Sequence, residues 1–202
     1  MIEIKDVTLG YGTRTVIVNF SAAVPSASIA AIVGRNGAGK STLLAAIAGD
    51  IETTTGEISI NGKVVAQHSS AELAATFSLA QQNHSYWMAY SVRDVIELGH
   101  EEVSSERFKS LVTALNIDGF IDQPVTTLSG GQLQRVEIAR SLMRDVPLVL
   151  LDEPFASQDL ASIEKIKKLL LSEKALGKTF VIVTHAREED LSWCDQIINL
   201  GA

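Results

Sequence analysis

A nine-residue stretch that begins at Gly34 constrains this chain more than any other part of its sequence. It runs Gly-Arg-Asn-Gly-Ala-Gly-Lys-Ser-Thr and fits the pattern G-x-x-x-x-G-K-[ST], a glycine-rich loop that cradles phosphate groups. The apolar run 29–33 before it predicts a buried strand, and 42–48 after it predicts a helix that ends at Gly49. A strand, a glycine loop and a helix in this order direct backbone N–H groups at an anion. The chain is therefore predicted to bind a nucleotide.

Different residues of this loop are predicted to bind different parts of a nucleoside triphosphate and its metal ion. Lys40 would reach the β- and γ-phosphates, the Ser41 hydroxyl would bind Mg²⁺, and Thr42 would support a phosphate. The alternative is a glycine-rich turn that fits the pattern by chance, and the flanking strand and helix disfavour it. The predicted nucleotide-binding residues are Gly34, Arg35, Asn36, Gly37, Ala38, Gly39, Lys40, Ser41 and Thr42.

Length and composition limit the remaining possibilities. A chain of 202 residues is expected to form one domain, with room for an inserted lobe. The net charge of −7 argues against a general nucleic-acid binder, because neutralising phosphates needs a basic surface. Cys194 is the only cysteine, which excludes an internal disulfide and fits a reducing cytoplasm. No apolar run approaches the ~18 residues of a membrane span.

The order of predicted elements indicates the fold class. The first third contains short strands and an Asn61-Gly62 hairpin signal, which favours an antiparallel sheet. The segment 83–145 is predicted to be an all-helical lobe, with a helix starting at Ser91. Apolar strands at 148–151, 180–183 and 196–200 then return, with a helix over 160–176 between the first two. The predicted fold is α/β: a single domain, 1–202, with a P-loop NTPase core around a parallel central sheet, an N-terminal antiparallel β subdomain and the inserted helical lobe.

Two adjacent carboxylates follow the apolar strand 148–151. In open α/β sheets, ligands bind beyond the C-terminal ends of the strands, so Asp152 would hold Mg²⁺ and Glu153 could polarise an attacking water. The alternative is a solvated strand end, which is the weaker interpretation beside a phosphate-binding loop.

The most discriminating stretch is Leu128-Ser129-Gly130-Gly131-Gln132. Two glycines before a helix expose N–H groups for an anion, although a simple glycine turn is the alternative. With this stretch in place, the sequence resembles the ATP-binding subunit of an ABC transporter, and the matching pieces run from Tyr11 to His185. The resemblance implies that this signature completes the ATP site of a second subunit in a head-to-tail dimer, through Ser129, Gly130, Gly131 and Gln132.

The resemblance also implies roles for residues around the nucleotide. Tyr11 would stack on adenine, with an ordinary packed or exposed tyrosine as the alternative. Gln81 would contact Mg²⁺ or water and relay to a transmembrane partner, with Gln82 as a shifted alternative. The implied Mg²⁺ ligands are Ser41, Gln81 and Asp152.

The remaining implied roles concern hydrolysis and its coupling. Glu153 matches the catalytic carboxylate, His185 the switch histidine that holds its water, and Asp159 the aspartate of the D-loop, the turn after the catalytic carboxylate. A lone histidine after an apolar strand is more often structural, but the position of His185 after Thr184 favours function. The predicted catalytic residues are Glu153, His185, Lys40 and Gln81.

The chain departs from the family pattern at several points. The segment 25–28 lacks the glycine that usually precedes the phosphate-loop strand. The segment 155–159 reads Phe-Ala-Ser-Gln-Asp where Thr-Ser-Ala-Leu-Asp is common, and Ala186 stands where Asp is common. The helical lobe is short, and the C-terminal extension that is frequent in the family is not expected. These departures leave the expected chemistry intact and bear on coupling between subunits.

The expected function is ATP hydrolysis with Mg²⁺ that powers transport. The implied partners are a second copy or a paired ATPase subunit, transmembrane permease subunits and a substrate-binding protein; no nucleic acid is expected. The protein would be cytoplasmic, held at the inner face of the plasma membrane by its permease. The run 91–99 resembles metal-chelate and cobalamin importers, so uptake is favoured. An efflux transporter or a soluble non-transport ABC ATPase is the alternative.

Other classes of protein fit the sequence less well. A soluble P-loop kinase would lack the signature at 128–132, and a non-hydrolysing regulatory module would lack Glu153 or His185. The segment 83–90, with Tyr86 and Trp87, is the candidate surface for docking on the permease. Local packing of the lobe is the alternative for this segment.

Overall fold

The computed structural model describes residues 1–81, 86, 88–99 and 104–201, which form two β-sheets and six α-helices. The strands are β1 (Ile2–Tyr11), β2 (Arg14–Val24), β3 (Ile29–Gly34), β4 (Thr55–Ile60), β5 (Lys63–Val64), β6 (Phe77–Ala80), β7 (Leu148–Asp152), β8 (Thr179–Val183) and β9 (Gln196–Leu200). The helices are α1 (Lys40–Ala48), α2 (Ser70–Thr76), α3 (Val92–Glu97), α4 (Ser105–Ala114), α5 (Gly130–Met143) and α6 (Leu160–Ala175).

The N-terminal sheet is antiparallel, with strand order β2-β1-β4-β5. Its hairpin between β4 and β5 turns at Asn61 and Gly62, which both have positive φ (53° and 80°), as a two-residue hairpin turn requires. Strand β2 is 11 residues long because it pairs with β1 from Ile2–Val24 to Tyr11–Arg14. Backbone pairing extends this strand well beyond its apolar residues.

The central sheet is parallel, with strand order β6-β7-β8-β3-β9. Strand β8 is buried along its whole length, and β3 and β7 are buried except at their last residue. Such burial explains their unbroken apolar sequences. Because parallel strands end at the same edge, the sheet brings together the segments that follow Gly34, Asp152 and Val183. The predicted α/β fold is confirmed by this arrangement.

The helical segment shares its core with the central sheet. Helix α5 buries Val136, Ile138 and Leu142 in one cluster with Val149 and Leu151 of β7. The signature helix is therefore packed directly on the strand that leads to the two carboxylates. The predicted lobe boundaries at 83 and 145 remain a prediction.

The capping interactions predicted at the start of α3 are present. The Asp94 N–H donates to Ser91 Oγ at 3.1 Å, and the Ser91 N–H donates to Asp94 Oδ2 at 2.9 Å. This reciprocal pair satisfies N–H groups that the helix itself cannot. The helix ends at Glu97.

Part of the expected docking segment lies outside the described residues. Of 83–90 the structure describes Tyr86 and 88–90, so Trp87 is outside the described residues, as is Gln82, the alternative to Gln81. The Tyr86 hydroxyl donates to the Glu137 carboxylate of α5. In the described parts of the chain, none of the helices combines the length and apolarity needed to span a membrane.

Candidate functional site

Helix α1 begins inside the glycine-rich loop with its N-terminus uncapped by any side chain. Its N-cap residue, Gly39, has φ +96°, and a Cβ there would lie 2.8 Å from side-chain atoms of both Val16 and Ile17. Only glycine fits this position, because a side chain would meet both strain and collision. The partial positive charge of the helix start is thus directed into the loop.

Lys40 is buried at the centre of the loop. Its ammonium group donates to the carbonyl oxygens of Gly34 at 2.9 Å and Arg35 at 3.3 Å. It also lies 3.3 Å from Nδ1 of His185. The loop therefore holds the positively charged Lys40 side chain at the place where the sequence predicts phosphates.

His185 bridges Lys40 and Glu153. The Glu153 N–H donates to the Val183 carbonyl oxygen at 2.9 Å, which anchors Glu153 in a left-handed conformation with φ +51°. The Glu153 carboxylate accepts from the His185 N–H at 3.3 Å, and its other oxygen lies 3.2 Å from His185 Nε2. An ammonium group can only donate, so His185 Nδ1 is the acceptor toward Lys40, and the ring proton is then on Nε2, the nitrogen nearer to the Glu153 carboxylate.

Burial sets the electrostatics of the Glu153 carboxyl group. Glu153 is 7% exposed, and this burial raises the pKa of its carboxyl, while the adjacent His185, in part through its main-chain N–H, opposes the rise. A carboxylate that is poorly solvated and held by one main-chain N–H is suited to accept a proton from water or to orient it.

These residues share one cleft of about 450 Å³. Tyr11, which lines this cleft, is 56% exposed, and its hydroxyl lies 3.5 Å from Thr42 Oγ1. Sequence reasoning missed Arg14 and Val16, which reach the cleft because the β1–β2 hairpin returns them past Tyr11. The cleft is lined by Tyr11, Arg14, Val16, Asn36, Gly37, Gly39, Lys40, Ser41, Thr42, Glu153 and His185.

A second cleft, of about 320 Å³, adjoins the first through Ser41. It is lined by the three expected metal ligands, Ser41, Gln81 and Asp152, together with Asp50, which sequence reasoning missed. Burial raises the pKa of the Asp152 carboxyl, and Ser41 and Lys40 oppose the rise. The Asp152 Oδ1 atom is buried and has no hydrogen-bond partner among the described residues. An unpartnered carboxylate oxygen beside a hydroxyl and an amide oxygen fits a hard cation such as Mg²⁺.

The signature residues lie elsewhere. Ser129 caps α5, accepting from the Gln132 N–H at 3.3 Å while Gln132 Oε1 accepts from the Ser129 N–H at 2.9 Å. Asp159 caps α6 by accepting from the Ser162 N–H at 2.7 Å, and this bond lowers the pKa of its carboxyl. The signature residues and Asp159 line neither of the two clefts. One chain therefore does not unite all of its predicted site residues.

Comparison with known proteins identifies the family. Residues 17–156 match the family model described as ABC transporter. The chain belongs to the ABC transporter family. It is 31% identical to the zinc transport system ATP-binding protein TroB of Treponema pallidum, over 99% of this chain and 78% of that protein.

Two further proteins that are similar to this chain also bind ATP or its hydrolysis products, according to their descriptions. The chain is 31% identical to the petrobactin import ATP-binding protein YclP of Bacillus subtilis, over 99% of this chain and 83% of that protein. It also resembles a dimeric ATP-binding cassette solved in a post-hydrolysis state with ADP and phosphate, with a TM-score of 0.85, 28% identity, and coverage of 99% and 94% of the two chains. The chain is an ATP-binding subunit and an ATPase of this family, as its sequence predicts.

Proposed function

We propose that the chain hydrolyses ATP to power solute uptake, as one half of a head-to-tail dimer docked on a transmembrane permease. One observation carries the dimer: the cleft contains the loop, Glu153 and His185, but not the signature. Ser129 and Gly130 are instead exposed at the start of α5. Two copies related by a two-fold axis would each present this exposed turn to the cleft of the other.

The residues of the cleft would act on a bound ATP molecule in distinct ways. Lys40 and the N–H groups at the start of α1 neutralise phosphate charge. Glu153 orients the attacking water or takes its proton, and His185 fixes the direction of that carboxylate. Ser129 and the Gly130 and Gly131 amides of the second copy close over the γ-phosphate. Tyr11 stacks on the adenine ring.

Mg²⁺ belongs to this proposal as the cofactor. Ser41, Gln81 and Asp152 are the residues that would hold it, and their oxygen atoms suit its preference. When bound, the ion neutralises charge that develops on the β- and γ-phosphates.

The relatives named for zinc transport and petrobactin import favour uptake of metal ions or metal chelates as the transported class. The permease, and a substrate-binding protein beyond it, would select the cargo. Residues 83–90 remain the proposed docking segment, which would hold the chain at the inner face of the membrane. Efflux is the second candidate for transport direction, and reconstitution with the permease distinguishes the two by the side of the membrane from which cargo is taken.

A mixing experiment tests the shared site. Lys40→Ala damages the loop of one copy, and Ser129→Arg damages the signature of another, so each variant alone should cleave ATP very slowly. In an equal mixture, about half of the dimers are mixed and each regains one intact site, so about a quarter of the wild-type sites return.

The matched control mixes Lys40→Ala with Glu153→Gln. Both changes damage the loop half, so no mixed dimer contains an intact site and no activity should return. Recovery in the first mixture but not in the control supports the shared site. Equal behaviour of the two mixtures would refute it.

A trapping experiment tests the same shared site by measuring whether the protein is a monomer or a dimer in solution. Glu153→Gln should bind ATP without cleaving it and elute as a dimer with ATP and as a monomer without it. A variant that binds ATP but remains monomeric contradicts a dimer formed by these subunits alone.

A further inference from the structure

The turn that follows Glu153 touches the signature turn of the same chain. The Gln158 side-chain N–H donates to the Gly131 carbonyl oxygen at 2.8 Å. A Cβ on Gly131 would lie 2.4 Å from the Ser157 carbonyl oxygen, so the two backbones meet at a distance that only glycine allows. The two turns are thus in direct contact at their backbones.

Neither helix needs this contact to begin. The reciprocal Ser129–Gln132 pair caps α5, and Asp159 caps α6. A carbonyl oxygen has two lone pairs, so Gly131 can accept from Gln158 as well as from within its helix. The Gln158 hydrogen bond therefore joins two turns that are each already complete, and its effect concerns their relative position.

The joined turns connect parts that the proposed function places in different ATP sites. Ser129 would close over the partner's nucleotide, whereas Glu153, five positions before Gln158, would act on the chain's own. The turn between them is held by hydrogen bonds from the Ala156 N–H to the Glu153 carbonyl at 3.1 Å and from the Gln158 N–H to the Phe155 carbonyl at 3.3 Å. A displacement of the signature turn would therefore be transmitted to Glu153 through a small number of hydrogen-bonded residues.

We propose that Gln158 is a positioning residue, which fixes the signature turn against the turn that carries Glu153. The two surfaces that meet the second copy then move as one body. Leucine, common at this position in the family pattern, has no hydrogen to donate. The proposal rests on the shared ATP site proposed above, and it adds that the signature of one site is mechanically linked to the catalytic carboxylate of the other.

Two substitutions of Gln158 separate the hydrogen bond from the size of the side chain. Gln158→Met keeps the length and loses the donor, and Gln158→Glu places an acceptor against the Gly131 carbonyl. In a Glu153→Gln parent, Gln158→Met should weaken the ATP-dependent dimer about three- to tenfold, as expected for one lost hydrogen bond. Gln158→Glu should weaken it further, because two acceptors then face each other.

The affinity of the monomer for ATP should stay unchanged, since Gln158 does not line the cleft. A merely structural defect would lower this affinity and the melting temperature together. Gln67→Met serves as the matched control, because Gln67 is exposed on the turn after β5. This control should dimerise like the parent.

Amide hydrogen exchange of the nucleotide-free monomer provides a readout that does not depend on dimers. Gln158→Met should speed exchange at 129–132, and Gln67→Met should not. Equal dimer dissociation constants for Gln158→Met and its parent overturn the proposal, whatever the exchange rates. If the parent itself does not dimerise, the failure lies with the proposed function, and unchanged exchange at 129–132 then overturns the role of Gln158.

Discussion

Lys40 and Glu153 lie next to opposite nitrogens of the same imidazole ring, that of His185. The ring is half exposed (52% of its side chain), whereas Lys40 and Glu153 are buried. The two charged groups are therefore fixed in place, and the histidine between them is the member of the set that can respond to an incoming phosphate. Its position depends on β8 ending beside β7, which places its main-chain N–H against the Glu153 carboxylate.

At the scale of single residues, His185→Ala should reduce kcat about a hundredfold or more. General-base catalysis typically contributes a rate factor of about 10²–10⁴, and most of this factor is lost when the Glu153 carboxylate is misdirected. Affinity for ATP should change less than kcat, which steady-state kinetics and equilibrium binding would separate. His68→Ala is the control, since His68 contacts the Val64 carbonyl far from the cleft lining. An equal loss in both variants would contradict the assigned role.

Arg14 is the second residue for which the structure makes a prediction. Its side chain is exposed and lines the same cleft as Tyr11, Lys40 and Glu153, so it can bind a phosphate or stack on a base. Arg14→Ala should weaken ATP binding about tenfold, the usual effect of losing a charge-assisted hydrogen bond. Titration calorimetry measures this, with Lys109→Ala on the exposed face of α4 as the control. ATP binding of wild-type strength in Arg14→Ala would exclude Arg14 from the site.

At the scale of elements, the phosphate loop depends on how β3 is anchored at its start. Asp195 accepts from the Ile29 N–H at 2.8 Å and pairs with Lys174 of α6 at 2.7 Å. This carboxylate thus connects β3, α6 and the segment leading to β9. The strand that carries the loop is fixed by Asp195 at its start and by the parallel ladder along its length.

Asp195→Asn should lower the stability of the protein by no more than about 1 kcal/mol, because the ion pair is partly exposed. Hydrogen bonding to Lys174 lowers the pKa of Asp195 below 3.8. A lowered pKa means that this stabilisation is present above the unfolded value and is lost as pH falls through the folded value. Measured by denaturant unfolding, the stability difference between the two proteins should therefore be present at pH 6, shrink as the pH falls below 3.8, and disappear below the lowered pKa of Asp195.

A stability difference between these two proteins that stays the same at pH 6 and in acid would contradict this assignment. Lys165→Ala, on the exposed face of α6, is the control and should show little change at either pH. The comparison isolates the ion pair from general effects of acid on the fold.

At the scale of the whole molecule, the helical segment and the central sheet share one core. Leu142 of α5 is 1% exposed and belongs to the cluster that contains Val149 of β7. Since α5 is part of this cluster, a defect in the helix is expected to weaken the sheet as well. Helix α5, which begins at the signature, and strand β7, which leads to Glu153, are therefore expected to unfold together.

Leu142→Ala should lower the free energy of unfolding by about 2–5 kcal/mol through the cavity it leaves. Circular dichroism and the fluorescence of Trp193, which packs against the same cluster, should report one coincident transition. Leu176→Ala is the control, because that side chain is 77% exposed and its loss should cost less than about 0.5 kcal/mol. Separate transitions for the two probes would show that the helical segment unfolds by itself.

The sequence by itself determined the family, the fold class and the residue types of the loop. These features are local: a glycine pattern, an apolar strand and a capping residue each act within a few positions, so their signals survive without knowledge of the rest of the chain. The hairpin at Asn61-Gly62 and the helix start at Ser91 are examples that the structure bears out.

Only the tertiary structure decided which of these residues meet. Arg14 enters the cleft through the return of a hairpin, His185 meets both Lys40 and Glu153 through the order of parallel strands, and Gln158 reaches Gly131 through the packing of α5 beside the turn before α6. These contacts join positions far apart in sequence, except for the first. Their existence depends on sheet order and helix packing, which the whole chain sets together and no short pattern contains.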